Sequence, residues 1–291
     1  VKKTVMNLKE QFTYRLLHVI SRRLRRLPNS SRSRFSNKLG AFVYNRIPIR
    51  KNQAIQNIKI AFPNKNMAWV NNVLKGSYRL VSTNFMEFLA LPKSYESLNF
   101  RVENQHIVDD AAQQGKGVLI ITGHFGLWEI LGSWLGKNGY PVWGIIQRQG
   151  NRGADLFVKE LRESYGMKHL YRKSSIENMY ALLKENKMLI LASDQDAKKR
   201  GVFVNFFGQP SSTPKGSARF HIQSGAPMVF SLAHKEKDGT VVISFDKIEL
   251  NGSASIETIT QTYTTMLEDK IREYPDHYFW FHRKWKTRKK Q

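Results

Sequence analysis

From residue 117 onward the chain alternates short apolar runs with stretches of helical periodicity, and this alternation limits its fold more than any other feature. Residues 117–122 (Gly-Val-Leu-Ile-Ile-Thr) read as a buried strand and 127–137 as the helix after it. Strands at 142–146, 169–171, 188–192 and 228–233 follow in the same manner, with helices at 154–165, 176–185 and 215–224 between or after them. Lys237-Asp238-Gly239 supplies a hairpin turn into an alternating strand at 240–250, and 256–274 reads as a long closing helix. Strand–helix alternation of this kind predicts an α/β fold, with a largely parallel mixed sheet covered by helices on both faces. Loops at the C-terminal ends of its strands are where a site forms.

The first 92 residues read differently. Residues 32–92 look mostly helical, with one apolar set at Phe35, Leu39, Phe42 and Val43 and a second running from Val70 to Leu89. Pro48, Pro63 and Pro92 punctuate them. Ahead of these, Val5, Leu8, Phe12, Leu16, Val19, Ile20, Leu24 and Leu27 recur at three- and four-residue steps, one face of a helix that Pro28 ends. Arg15, His18, Arg22, Arg25 and Arg26 fall largely on the other side. Residues 1–51 hold 14 Lys and Arg and one acid, Glu10. The chain thus divides into a basic amphipathic, membrane-associating extension, 1–50, and a main domain, 51–291. A helix packed on its own domain with a solvated basic face is the alternative.

Net charge selects the partners. There are 47 Lys and Arg against 23 Asp and Glu, a net charge of +24, and a surface of that sign attracts nucleic acid, anionic headgroups or an acidic carrier. Much of the excess sits at the two chain ends. The last ten residues carry six Lys or Arg beside Trp280 and Trp285, a pairing that suits a membrane interface. No helix-turn-helix, zinc or RNA-recognition signature accompanies the charge, so nucleic acid is not the expected partner. The absence of cysteine excludes disulfides, thiolate metal sites and a cysteine nucleophile. No signal peptide and no segment long enough to span a bilayer is expected, and neither a metal nor a cofactor.

The sharpest chemical feature is Gly123-His124-Phe125-Gly126-Leu127-Trp128-Glu129, directly after the 117–122 strand and opening a helix. An imidazole accepts a proton near neutral pH. Five residues on, Glu129 lies about 140° around an ideal helix. It reaches His124 only if the histidine is still in the loop, and would then fix its tautomer as in a base–orienter pair.

This block resembles the H-x4-[D/E] signature of glycerolipid and lysophospholipid acyltransferases, and its Glu form resembles the bacterial lipid A biosynthesis (late, lauroyl/myristoyl) acyltransferase family. Further blocks follow in that family's order. They are Asn57 to Pro63, Arg148 to Asn151 with Arg152 where the family has Pro, Arg162 to Gly166, Asp194-Gln195-Asp196, Val202 to Gly208 with Thr213, and Tyr274-Pro275 through Trp280-Phe281-His282-Arg283-Lys284, which resembles a Trp-x-His-Arg-Arg close. The family's membrane-spanning N-terminal helix has no counterpart here, which leaves attachment to the amphipathic segment.

The resemblance implies an O-acyltransferase that moves a fatty acyl group from a thioester to a hydroxyl of a lipid A precursor. His124 would be general base, Glu129 its holder, and Arg162 the binder of the oxyanion or a substrate phosphate. Arg148, Asn151, Asp194, Asp196, Phe207 and Gly208 are candidate substrate-binding residues. For the two aspartates, pairing with nearby arginines is the alternative; for Phe203, Phe206 and Phe207 it is an acyl-channel lining against plain core packing. Acyl-carrier protein is the implied donor, with acyl-CoA the alternative. Another glycolipid, an aminolipid or a lysophospholipid is the alternative acceptor. The implied location is the cytoplasmic face of a bacterial inner membrane, with peripheral or monotopic attachment to anionic lipid.

Overall fold

The computed structural model describes residues 6–47, 49–250, 252 and 254–289. Val5, Pro48, Lys290 and Gln291 lie outside the described residues. Four helices open the chain: α1 (Leu8–Arg26), α2 (Asn29–Arg46), α3 (Lys51–Ala61) and α4 (Met67–Leu89). After the one-turn α5 (Lys93–Glu96), the sheet region runs β1 (Phe100–Glu103), α6 (Gln105–Gln113), β2 (Val118–Thr122), α7 (Trp128–Lys137), β3 (Val142–Ile146) and α8 (Arg152–Glu163). It continues with β4 (Lys168–Tyr171), α9 (Ile176–Lys184), β5 (Met188–Ala192), β6 (Val202–Phe206) and β7 (Gln209–Thr213). The last elements are α10 (Gly216–Ser224), β8 (Met228–Lys235), β9 (Val241–Lys247) and α11 (Ile256–Glu273).

The main sheet has seven strands in the order β1-β9-β8-β2-β5-β3-β4, parallel except for the β8–β9 hairpin. This is the mixed α/β architecture that the alternation implies. All five residues of β2 are buried, because helices cover both faces. With a side-chain period of two, Leu119 and Ile121 join one core with Phe230, Tyr263 and Leu267, while Val118 and Ile120 join the other with Leu131, Phe157 and Phe245. Three features have no counterpart in the sequence reading: β1, α6 and the antiparallel β6–β7 hairpin. Each is short: β1 and β7 are mixed in polarity, α6 has nine residues, and the apolar run of β6 reads only as part of a motif.

Strand order reverses beside β2. The chain leaves β2 toward β3 on one side, and leaves β5 toward β8 on the other. In a parallel sheet such a reversal opens a crevice outside the strands' carboxyl ends. Because Thr122 and Ala192 are register partners, residues two steps beyond each strand emerge into that crevice side by side. These are His124 and Asp194.

The N-terminal helices are docked on the domain. Asn7 and Glu10 form a capping box at the start of α1. Tyr14 donates to Glu160 on α8 at 2.8 Å, and His18 lies edge-on to Phe157. A Cβ on Gly153 would stand 2.0 Å from the carbonyl oxygen of Glu10, so only glycine lets α1 approach α8 this closely. The histidine side of α1 therefore faces the domain. The N-terminal part of its apolar stripe faces out, with Leu8 84% and Phe12 66% exposed and Leu16 and Val19 exposed behind them, while Leu24 is buried. Helix α2 packs on α4 around an ion pair between Arg32 and Glu87, both 1% exposed, at 3.4 Å. Arg32 also donates to the carbonyl of Leu27 and the hydroxyl of Ser97.

Removing one member of such a pair strands the other charge away from water. Glu87→Ala should lower unfolding stability by about 3–5 kcal/mol, read from the urea midpoint, whereas an exposed pair such as Lys93–Glu96 should yield under about 1 kcal/mol.

Candidate active site

His124 lies in the turn between β2 and α7, held by backbone rather than by its own ring. Its carbonyl accepts from Phe279 N–H at 2.9 Å, Gly126 N–H donates to the His277 carbonyl at 2.8 Å, and Leu127 N–H donates to Ala233 at 2.7 Å. Gly126 has φ +57°, and a Cβ there would meet the Ala233 oxygen at 1.9 Å. That close approach is why the turn needs glycine. The ring packs near Trp128 and Phe279, at centroid distances of 5.6 and 6.0 Å.

The carboxylate at His124 is that of Asp194, not Glu129. Nδ1–H donates to Asp194 Oδ1 at 2.8 Å, with the His124 side chain 27% and Asp194 2% exposed. With Nδ1 as the donor, Nε2 carries the lone pair. The Gln195 side-chain amide stands 3.3 Å from Nε2. Burial pushes the His124 pKa down, but the charge and hydrogen bond of Asp194 and the charge of Glu129 outweigh it and leave it raised. Burial alone would raise Asp194. The charge of His124, its hydrogen bonds and the charge of Lys284 hold it down, to about 2.

Glu129 occupies the first turn of α7 and turns to α8, where Arg162 grips it with two bonds, Nε to Oε2 at 3.0 Å and Nη2 to Oε1 at 2.6 Å. The 140° separation of side chains five residues apart is resolved in favour of that bidentate partner. Glu129 thus meets His124 through its field and not through a hydrogen bond. Arg162 is largely shielded with it, each side chain 12% exposed, and lies over the Phe88 ring at 5.6 Å.

The other candidates separate. Arg148 lies at the rim, exposed, stacked 4.5 Å over Tyr171 and 4.0 Å from Asp155. Asn151 caps α8 by accepting from Ala154 N–H, and its amide reaches Thr13 of α1 at 3.2 Å. Asp196 accepts from Thr287 at 3.0 Å; its partner is a threonine, and no arginine pairs with either aspartate among the described residues. Phe207 and Gly208, both at positive φ (55° and 74°), form the turn of the β6–β7 hairpin. Phe206 and Phe207 are buried, with Phe207 packed on Phe62 and Trp280. Three groups escaped the sequence reading as site residues: Gln195, Tyr278 and Lys284. Each lies inside a block quoted above, but only the register and the return of residues 277–285 across the crevice show what they face.

The family model described as bacterial lipid A biosynthesis acyltransferase matches residues 2–287. The phosphatidylinositol mannoside acyltransferase of Mycolicibacterium smegmatis is 27% identical over 169 residues, 57% of this chain and 55% of that protein. The lipid A biosynthesis palmitoleoyltransferase of Escherichia coli K12 is 24% identical over 259 residues, 86% of this chain and 83% of that protein. The lipid A biosynthesis lauroyltransferase of the same organism is 26% identical over 191 residues, 63% and 60% respectively. The match to the mycobacterial relative thus spans about half of that protein's length, and the match to the palmitoleoyltransferase spans most of its own. With a family model covering nearly every residue, the chain belongs to the bacterial lipid A biosynthesis acyltransferase family.

Proposed function

We propose that this protein transfers a fatty acyl group from a thioester to a hydroxyl of a glycolipid at a membrane surface. The observation that carries the reading is the imidazole of His124, fixed at Nδ1 by a buried aspartate and still 27% exposed, with the Gln195 amide 3.3 Å from Nε2. Its family and its relatives, acyltransferases by name for lipid A and phosphatidylinositol mannoside, support the substrate class. In the proposed reaction Nε2 takes the proton of the acceptor hydroxyl as its oxygen attacks the thioester carbonyl. The C–S bond then breaks, and the imidazolium returns a proton to the departing thiolate. Asp194 stabilises the imidazolium and keeps the tautomer correct. Glu129 and Arg162 make up a second, internally neutral pair; in this reading Glu129 adds negative potential at His124, and Arg162 faces a substrate anion or the oxyanion.

A lipid A precursor is the acceptor we favour, with another glycolipid as the second reading, since one relative is named for phosphatidylinositol mannoside. Acyl-carrier protein is the favoured donor and acyl-CoA the alternative. Anionic lipid on the cytoplasmic face of a bacterial inner membrane is the proposed setting. No helix among the described residues is long and apolar enough to cross a membrane. The support is instead the outward stripe of α1, continued by exposed Phe35 and Phe42 on α2, Ile47, Ile49 and, on α4, Phe85. Arginines and lysines border it, so residues 1–50 offer both apolar and cationic contacts to a headgroup layer.

Two experiments test this. His124→Ala and Asp194→Asn should each lower kcat by about 10²–10⁴-fold in a purified assay with acyl-carrier protein and glycolipid, with both variants folded at the assay temperature by circular dichroism. Glu129→Gln should cost less than Asp194→Asn; the reverse order would hand the orienting role back to Glu129, and full turnover by His124→Ala would end the proposal. In the second, Phe12→Ser with Leu16→Ser should weaken binding to vesicles containing anionic lipid by about tenfold or more, at about 1.5 kcal/mol or more per buried side chain. Equal binding by wild type and variant, or preference for duplex DNA at matched salt, would overturn the membrane assignment.

A further inference from the structure

Lys284 lies beneath the His124–Asp194 pair, where a lysine is expensive to keep. It is 2% exposed. One hydrogen bond, Nζ to Thr213 Oγ1 at 3.0 Å, and the face of Phe206, 5.3 Å from the ammonium, make up its immediate surroundings. No carboxylate among the described residues comes within ion-pair distance of Nζ. A buried ammonium without a contact partner is costly to keep out of water, and an apolar side chain would fill this space more cheaply.

The compensation lies across a small cavity of about 10 Å³, roughly the space of one water molecule. Lys284 and Asp194 line it together, with Thr122, Ser193, Tyr263 and Phe206 among its other walls. The hydroxyl of Thr122 is buried there without a hydrogen-bond partner. The charged and titratable groups around Lys284 come from few elements. The loop after β5 brings Asp194 and Asp196, the turn after β2 brings His124, and the returning segment brings His282 and Tyr278, whose hydroxyl lies against Asp194. From α11, Tyr263, Thr264 and Leu267 line the cavity, and of these only Tyr263 is titratable, its hydroxyl donating to the Pro214 carbonyl.

We infer that Lys284 is a positioning residue: its buried ammonium is a second counter-charge, behind His124, that helps keep Asp194 an anion, and through Asp194 it sets how tightly His124 holds a proton. The inference rests on the reading of His124 as general base. Burial pushes the Lys284 pKa down, only partly offset by the charges of Asp194 and Asp196, to about 8. The counter-charge is therefore present at neutral pH and withdrawn as pH rises through that value. Once it is gone, the negative charge of Asp194 is answered by the imidazolium alone, and the ring binds its proton more strongly. Lys284 stands where the resembling C-terminal block has a second arginine, and a guanidinium would stay charged throughout. The lysine makes the base responsive to alkaline pH.

The test follows the His124 imidazole directly, by NMR titration of histidine ring protons assigned with His124→Ala, in the wild-type protein, Lys284→Gln and Lys284→Arg. In Lys284→Gln the proton affinity of His124 should rise about tenfold, and the acid limb of kcat/KM should move to higher pH by the same amount. In Lys284→Arg the ring should titrate as in the wild type at low pH, while the second inflection near 8 disappears from its shifts. A structural role alone would lower stability in both variants without moving the titration. An unchanged His124 titration in Lys284→Gln, or an inflection near 8 that survives in Lys284→Arg, overturns the inference; if the Gln variant does not fold, the Arg variant decides. Turnover by His124→Ala would count against the general-base reading, whereas the NMR titration bears on Lys284 whether or not that reading holds.

Discussion

A carboxylate almost sealed from water has to be answered by positive charge and hydrogen bonds, or it takes up a proton. Asp194 is in that position, and the rest of the crevice is arranged around its answer. His124 supplies the near partner at 2.8 Å, and Lys284 a farther one across a cavity the size of a water molecule. The resulting order from ammonium to carboxylate to imidazole gives the last group its direction, with one nitrogen committed to the interior and the other turned outward. Remove the aspartate's burial and the same groups form a solvated ion pair of small energetic value. The low dielectric makes the arrangement consequential, and it is also what makes each partner costly to lose.

The walls come from distant parts of the chain. Asn57 on α3 donates to the carbonyls of Trp280 and His282, at 2.7 and 2.6 Å, and Ser77 on α4 donates to the Tyr278 carbonyl at 2.8 Å. Asn84, also on α4, accepts from Glu129 N–H at the start of α7. The Trp280 indole donates to the Pro275 carbonyl, and its ring is fully buried. Helices α3 and α4 thus pin the returning segment over the sheet's carboxyl edge, and that segment carries both Phe279 beside His124 and Lys284 beneath Asp194. The quoted blocks around Asn57, His124, Asp194 and Trp280 are scattered over more than two hundred residues of sequence, yet they converge on one crevice.

That convergence also explains what could be read before the structure. The β2–α7 block was legible because a continuous buried run, two glycines and a histidine sit together, and the parallel sheet was legible because five short runs alternate with helices. The partner of His124 was not. Its identity depends on Thr122 and Ala192 being opposite each other, a register that exists only once β5 inserts beside β2, and no local period records it. Glu129 looked suitable by spacing, but its direction was decided by Arg162 on α8, a residue 33 positions away. The seating of α1 was legible only in part. Periodicity identified the stripe correctly and says nothing about which side meets the protein, and here the edge bearing Tyr14 and His18 does.

The seating of α1 has a mechanical consequence. It is clamped to the mouth of the crevice at two points, Glu10 against Gly153 and Thr13 against Asn151, and Asn151 is also the cap of α8. A helix fastened in this way behaves as a rigid strut and not as a hinged arm. In the proposed membrane setting, with that outer stripe in lipid, the strut would fix the height of His124 over the bilayer. Which hydroxyl of a tethered acceptor came within range would then be a matter of reach, set by how far that group projects from its anchor.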